Sequence, residues 1–132
     1  MRPTNLVQLF NNDRISSDAN GNPIMIWTPE ETWELGYQLS VFRIFLNVEQ
    51  IDSSAEIVIK AEWSLDKREW FDFSTTPIGS TSTTGAYTAN SNATYDFGPY
   101  VRVGIGIQET PTPTTRKTAT ISAAVVLRLI TE

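Results

Sequence analysis

Between residues 56 and 73 the side chains change character at every second position: Ile57, Ile59, Ala61 and Trp63 alternate with Val58, Lys60, Glu62 and Ser64. Successive residues of a pleated strand point to opposite faces, so this spacing predicts a strand with one buried face. Asp66, Lys67 and Arg68 break the rhythm with turn chemistry, and Trp70, Phe71 and Phe73 resume strand-like sequence. A hairpin is expected.

The same period recurs along the chain. Phe42, Ile44, Leu46 and Val48 share one face, and the opposite face carries Val41, Arg43, Phe45, Asn47 and Glu49. That second face is more apolar than solvent requires, so Val41 and Phe45 are expected to be covered. Asp52, Ser53 and Ser54 form a turn into the hairpin, which predicts that these two long strands are antiparallel neighbours in one sheet. Val101, Val103, Ile105 and Ile107 point inward in a further strand, with Arg102, Gly104 and Gly106 outward. The two glycines leave that face flat enough for a ring or a backbone to approach. Ile121, Ala123, Val125, Leu127 and Leu129 share one face of a final strand. Residues 5–10 suggest a strand at a sheet edge or lent to a neighbour, and residues 23–27 a short strand.

Between these segments lie polar stretches. Residues 11–22 are dense in Asn, Asp, Ser and Gly and are expected to form a loop. Asp18, Asn20 and Asn22 alternate oxygen ligands as calcium loops do, but the later glycine and glutamate of that pattern are missing, so no metal is expected. Thr28, Pro29 and Glu31 match an N-cap, a first helical residue and a capping-box acid, predicting one helical turn. Capping accounts for the acidic cluster Glu30, Glu31 and Glu34 without a glycosidase pair. Residues 74–98 read as a long loop with one short strand around Ala86 to Thr88.

Composition then narrows the function. The chain has 132 residues, enough for one domain with its own core, and neither cysteine nor histidine. Disulfides, thiolate zinc sites, cysteine nucleophiles and Ser-His triads are excluded. A net charge of -5 disfavours nucleic acid, and the basic pairs Lys67-Arg68 and Arg116-Lys117 read as solvated turn charge. No apolar run is long enough for a spanning helix. Met1-Arg2-Pro3 is not followed by an apolar signal region, so no classical export signal is expected. The sum is an all-β chain, an antiparallel β-sandwich of about eight strands with jelly-roll topology and at most one helical turn.

Two resemblances attach to these residues. Ser64, Asp66 and Trp70 reproduce an S-x-D-x-x-x-W hairpin that resembles discoidin-like, galactose-binding-like domains, and Tyr100-Val101-Arg102-Val103 is similar to their late Y-[VI]-R strand. The terminal cysteine pair usual in those domains is absent, and no sugar site is carried over. Residues 39–130 also resemble small β-sandwich accessory proteins of tailed-phage and phage-like particles. Their pattern combines this hairpin, a Ser/Thr/Gly-rich loop, a YVRV strand and an alternating Ala/Val/Leu terminal strand.

The second resemblance implies a non-enzymatic structural protein of a virion, assembled in the host cytoplasm as a capsid, head-decoration or tail accessory component. Its partners would be copies of itself and other virion proteins, with no cofactor, nucleic acid or membrane. Val41, Phe45, Val126 and Ile130, apolar residues on nominally outward faces, are the candidate interface. The alternative is a carbohydrate-binding module stacking a surface glycan on Trp33, Trp70, Tyr87 or Tyr95, where Trp70 also reads as hairpin core and the tyrosines as pins holding the loop to the sandwich. An enzyme without histidine or cysteine would need a carboxylate pair that the sequence does not assemble.

Overall fold

The computed structural model describes residues 4–28, 40–72, 78–90 and 100–129, within which the regular structure is nine strands. They are β1 (Thr4–Ser16), β2 (Ile26–Trp27), β3 (Ser40–Ile51), β4 (Ala55–Ser64), β5 (Trp70–Asp72), β6 (Gly79–Thr81), β7 (Gly85–Asn90), β8 (Tyr100–Glu109) and β9 (Thr118–Leu129). One sheet has the order β1-β9-β3-β7. The other has β2-β8-β4-β5, with β6 also pairing β4. Every pairing is antiparallel.

β5 and β6 occupy successive stretches of the same side of β4, against residues 62–64 and 57–59. Taken as one interrupted strand, they leave eight elements that change sheet at every step except from β4 to β5, in the manner of a jelly roll. The two-residue period therefore predicted the layers correctly. Ile44, Leu46 and Val48 of β3 are buried against Ile57, Ile59 and Ala61 of β4, the four inward residues of β8, and Ile121, Ala123 and Val125 of β9.

One pairing expectation is overturned. β3 and β4 are not neighbours: β3 lies between β9 and β7, and β4 lies in the opposite sheet. Each strand has an apolar face that must leave water, and placing them on facing sheets buries both faces in one core. The short turn between them makes that crossing. Ser54 takes the left-handed conformation, with φ 55°. The Asp52 carboxylate accepts the Thr118 N–H at 2.8 Å, and the Thr118 carbonyl accepts the Asp52 N–H at 3.1 Å. The corner is thereby anchored to β9.

The expected loop at 11–22 is also shorter than predicted, because β1 continues through Ser16. Two register shifts against β9, between Gln8 and Phe10 and between Phe10 and Asp13, accommodate the polar residues inside the strand. Of the two options for the first apolar segment, the structure shows the edge strand of its own sheet. The helical turn expected after Thr28 lies outside the described residues. Thr28 itself is buried, and its hydroxyl accepts the Val103 N–H at 3.0 Å.

Removing a core methyl cluster should be costly and removing an outer ring cheap. Ile59→Ala, at a site with no solvent exposure, is expected to lose about 2–5 kcal/mol in urea unfolding. Phe45→Ala, on an outer face, should stay within about 0.5 kcal/mol.

Candidate functional site

The two outer faces of the sandwich differ in how their side chains are used. On the β2-β8-β4-β5 sheet the face is filled. Trp27 pairs with Gly104, and its ring lies where a Gly104 side chain would stand: a Cβ there would be 2.6 Å from the indole. Gly106 is covered the same way by Met25 and the Ile24 carbonyl. The flat glycine face expected from sequence thus receives both a ring and a backbone.

Beside Trp27, the Arg102 guanidinium sits 4.2 Å from the Trp27 ring centroid and 4.3 Å from that of Trp70. Arg102 Nε donates to Glu62 Oε1 at 2.8 Å, from the residue directly across the β4–β8 ladder. A planar cation that stacks on two indoles and meets a carboxylate edge-on uses features that lysine lacks. Trp70 is therefore a half-buried member of this outer stack, and not core, although it follows a hairpin that the sequence located correctly.

The S-x-D part of that hairpin is its turn. Ser64 Oγ accepts the N–H groups of Asp66 and Lys67 at 3.2 and 2.8 Å, and Asp66 Oδ1 accepts those of Arg68 and Glu69 at 2.8 and 3.0 Å. These last two bonds, Glu69 first, hold the Asp66 carboxyl below its ordinary range. Lys67, at φ 65°, carries its ammonium 4.8 Å from the Tyr100 ring centroid, so it is not simply solvated turn charge. The motif thus builds a turn and delivers Trp70 to Arg102.

Both polar loops turn a carboxylate back onto their own backbone. Asp18 Oδ1 accepts the N–H groups of Asn20 and Asn22, which closes the loop on itself and lowers the Asp18 pKa, chiefly through Asn22. Among the described residues no group of three or more acidic ligands could hold an ion. Glu109 folds the other loop around its carboxylate: Oε1 accepts the Thr114 hydroxyl at 2.7 Å and the Thr115 N–H at 2.8 Å, and Oε2 accepts the Thr115 hydroxyl at 2.8 Å. Lys117 Nζ lies 3.6 Å from Oε2, so this lysine too is engaged. The Thr114 and Thr115 donors hold the Glu109 carboxyl at about 2.

Among the described residues, the outer face of the β1-β9-β3-β7 sheet is left open. One row of paired residues crosses all four strands: Gln8, Ala124, Phe45 and Thr88. The next row holds Ser122, Asn47 and Ala86. Small side chains around one large ring leave a shallow, solvent-open and mostly apolar depression of about 310 Å³. Phe45 remains 44% exposed within it, contrary to the expectation that it would be covered. Val126 is half-buried and stands opposite Arg43 in the row above.

Of the sequence-predicted interface, the structure therefore places Phe45 and Val126 on one face. Val41 is in β3 opposite Arg128, and Ile130 lies outside the described residues. Among the predicted stacking residues, Trp33 and Tyr95 also lie outside them. Tyr87 packs against the core, and its hydroxyl accepts the Ser80 N–H at 3.0 Å, pinning β7 to β6 across the seam between sheets. Sequence reasoning missed Trp27 and Glu62 as partners of Arg102, because cross-strand register joins residues 40 and 75 positions apart. It also missed the exposed Ile24, Ile26, Leu65 and Phe71.

Two measurements check these interactions. Arg102→Lys should destabilise the fold by about 1–3 kcal/mol and red-shift tryptophan emission as the double stack opens. For the carboxylates, a folded pKa below the unfolded value means that the unfolded chain binds protons first on acidification. The Glu109 contribution is full above about 4.5 and is lost as pH falls toward about 2. In Glu109→Gln, the thermal midpoint should fall at pH 6 and lose part of its dependence across that window.

No protein-family model and no curated protein matches the sequence. Solved structures do match in fold. A crystal structure of the infectious bursal disease virus VP2 subviral particle aligns over 96% of this chain with a TM-score of 0.66 and 8% identity. A structure of the Gx strain of the same virus aligns over 97% with a TM-score of 0.56 and 8% identity. The chain spans about a third of the length of these proteins, 32% in both cases. A family 22 carbohydrate-binding module of Clostridium thermocellum Xyn10B aligns over 98% of this chain and 85% of its own, with a TM-score of 0.48 and 12% identity. At such identities the likeness to the viral structures is one of fold: this chain is built as an antiparallel β-sandwich of the kind found in them.

Proposed function

We propose that this chain is a non-enzymatic structural component of a virion or phage-like particle, in the capsid, head-decoration or tail accessory class, working through protein–protein contacts. The observation that carries the reading is the open outer face around Phe45. A large ring lies exposed in a shallow bed of small residues on a four-stranded sheet, while the opposite sheet covers its own outer face with Trp27, Arg102 and Trp70. Shallow, mostly uncharged sheet surface suits docking against another protein surface. The sandwich likeness to the structure of the VP2 subviral particle supports the reading at the level of fold. Assembly would take place in the host cytoplasm, with other virion proteins as partners.

The polar side chains described above support this reading over an enzymatic one. Asp18, Asp66 and Glu109 accept hydrogen bonds within their own turns, and Asp52 accepts one from Thr118 of β9, so these carboxylates are committed to holding loops.

The test is co-sedimentation with the particle from which the gene derives. Wild-type chain is expected to pellet with assembled particles, and Phe45→Glu to remain in the supernatant with its thermal midpoint unchanged within a few degrees. Wild-type chain that stays free of particles, and binds a glycan array in a manner lost on Trp70→Ala, would replace the reading with the carbohydrate-binding one.

A further inference from the structure

We infer that the first half of β1 is a pairing edge for a second copy of this chain, joining two four-stranded sheets into one of eight strands. β1 is the outermost strand of its sheet and, at 13 residues, the longest edge strand among the described residues; β7 at the other edge has six, and β2, β5 and β6 have two or three. A sheet edge presents a row of backbone donors and acceptors, and proteins that must stay apart blunt it with bulges, charges, proline or brevity.

β1 applies those devices to one half only. From Leu9 to Arg14 there are two register shifts, a left-handed Asn12 at φ 58°, and the charged pair Asp13 and Arg14. The local N–H groups are also taken: Asn11 donates to Asp13 Oδ2 at 2.9 Å and Asn12 to Ser122 Oγ at 2.8 Å. From Thr4 to Gln8 there is neither a register shift nor a positive φ. The five residues keep unbroken register against Arg128 to Ala124, with no charge and no proline.

Such an edge selects an extended strand as its occupant, and a second copy supplies one of matching length whose residues 4–8 are uncharged, so no like charges meet across the paired run. Antiparallel pairing of the run with itself about a two-fold axis places Leu6 opposite Leu6. That axis is perpendicular to the sheet, so both Phe45 faces end on the same side of the joined sheet. The contact is distinct from the Phe45 face, and either can fail alone.

Light scattering on the wild type at about 100 μM should show dimers, a high concentration being needed because five paired residues make an interface at the small end of the range. Amides 4–8 should gain hydrogen-exchange protection as concentration rises. The chain has no cysteine, so Leu6→Cys supplies a single thiol. Directly paired strands hold Cα atoms about 4.5–5.5 Å apart, within disulfide reach. Under mild oxidation it should form a covalent dimer at least ten times faster than Ser82→Cys, placed in the exposed β6–β7 turn. A monomeric wild type with concentration-independent exchange overturns the pairing. So does equal cross-linking of the two cysteine variants, whatever particles and Phe45→Glu show.

Discussion

Ile57, Ile59 and Ala61 on one sheet and Ile44, Leu46 and Val48 on the other leave water only because each set covers the other. A single sheet of this sequence would expose a whole apolar face, and neither half has another source of stability: there is no disulfide and, among the described residues, no metal cluster. Burial of β-branched side chains between two layers is thus the constraint on which the rest depends. It explains the connectivity as well. Because a strand and its sequence neighbour often both need the same core, the chain crosses from sheet to sheet at most corners, and short polar fastenings such as Asp52 with Thr118 hold those crossings in place.

The layers were legible because their signal is local. A period of two in β3, β4, β8 and β9 tells which residues face inward, and it does so without reference to any partner strand. Gly104 and Gly106 were legible for a similar reason, since missing side chains on an outward face announce a close approach even before the visitor is known. What the sequence did not disclose is which strands adjoin. The period is identical for neighbours in one sheet and for strands in opposite sheets, so the pairing expected of β3 and β4 rested on the short turn between them, which serves a crossing between sheets as readily as a hairpin. The continuation of β1 was hidden differently, because Asn11, Asn12 and Asp13 have turn chemistry that a bulged edge strand can absorb.

The outer sites follow the same division. Phe45 and Val126 could be placed on a shared face from parity and the assumption of one sheet, and β9 between β1 and β3 brings them together. The Arg102 stack could not, since its members come from β2, β4, β5 and β8 and meet only through register. Tyr87 illustrates a further limit: a tyrosine in a small-residue loop reads equally as a platform or a pin, and the decision rests on whether a backbone N–H such as that of Ser80 stands within reach of its hydroxyl.

Asymmetry between the faces is the feature on which the proposed docking role rests. Trp27 covers Gly104 while Met25 and the Ile24 carbonyl cover Gly106, and Trp27, Trp70 and Glu62 hold Arg102 from three sides. Among the described residues nothing comparable is built over Phe45, where small side chains at Ala86, Ala124 and Ser122 keep the surface low. A side chain that stabilised the monomer could have stood at those positions on the same backbone. Leaving them small while the opposite face is packed makes the face shallow and pre-shaped, so that a partner can cover Phe45 without reordering many side chains on this side of the contact.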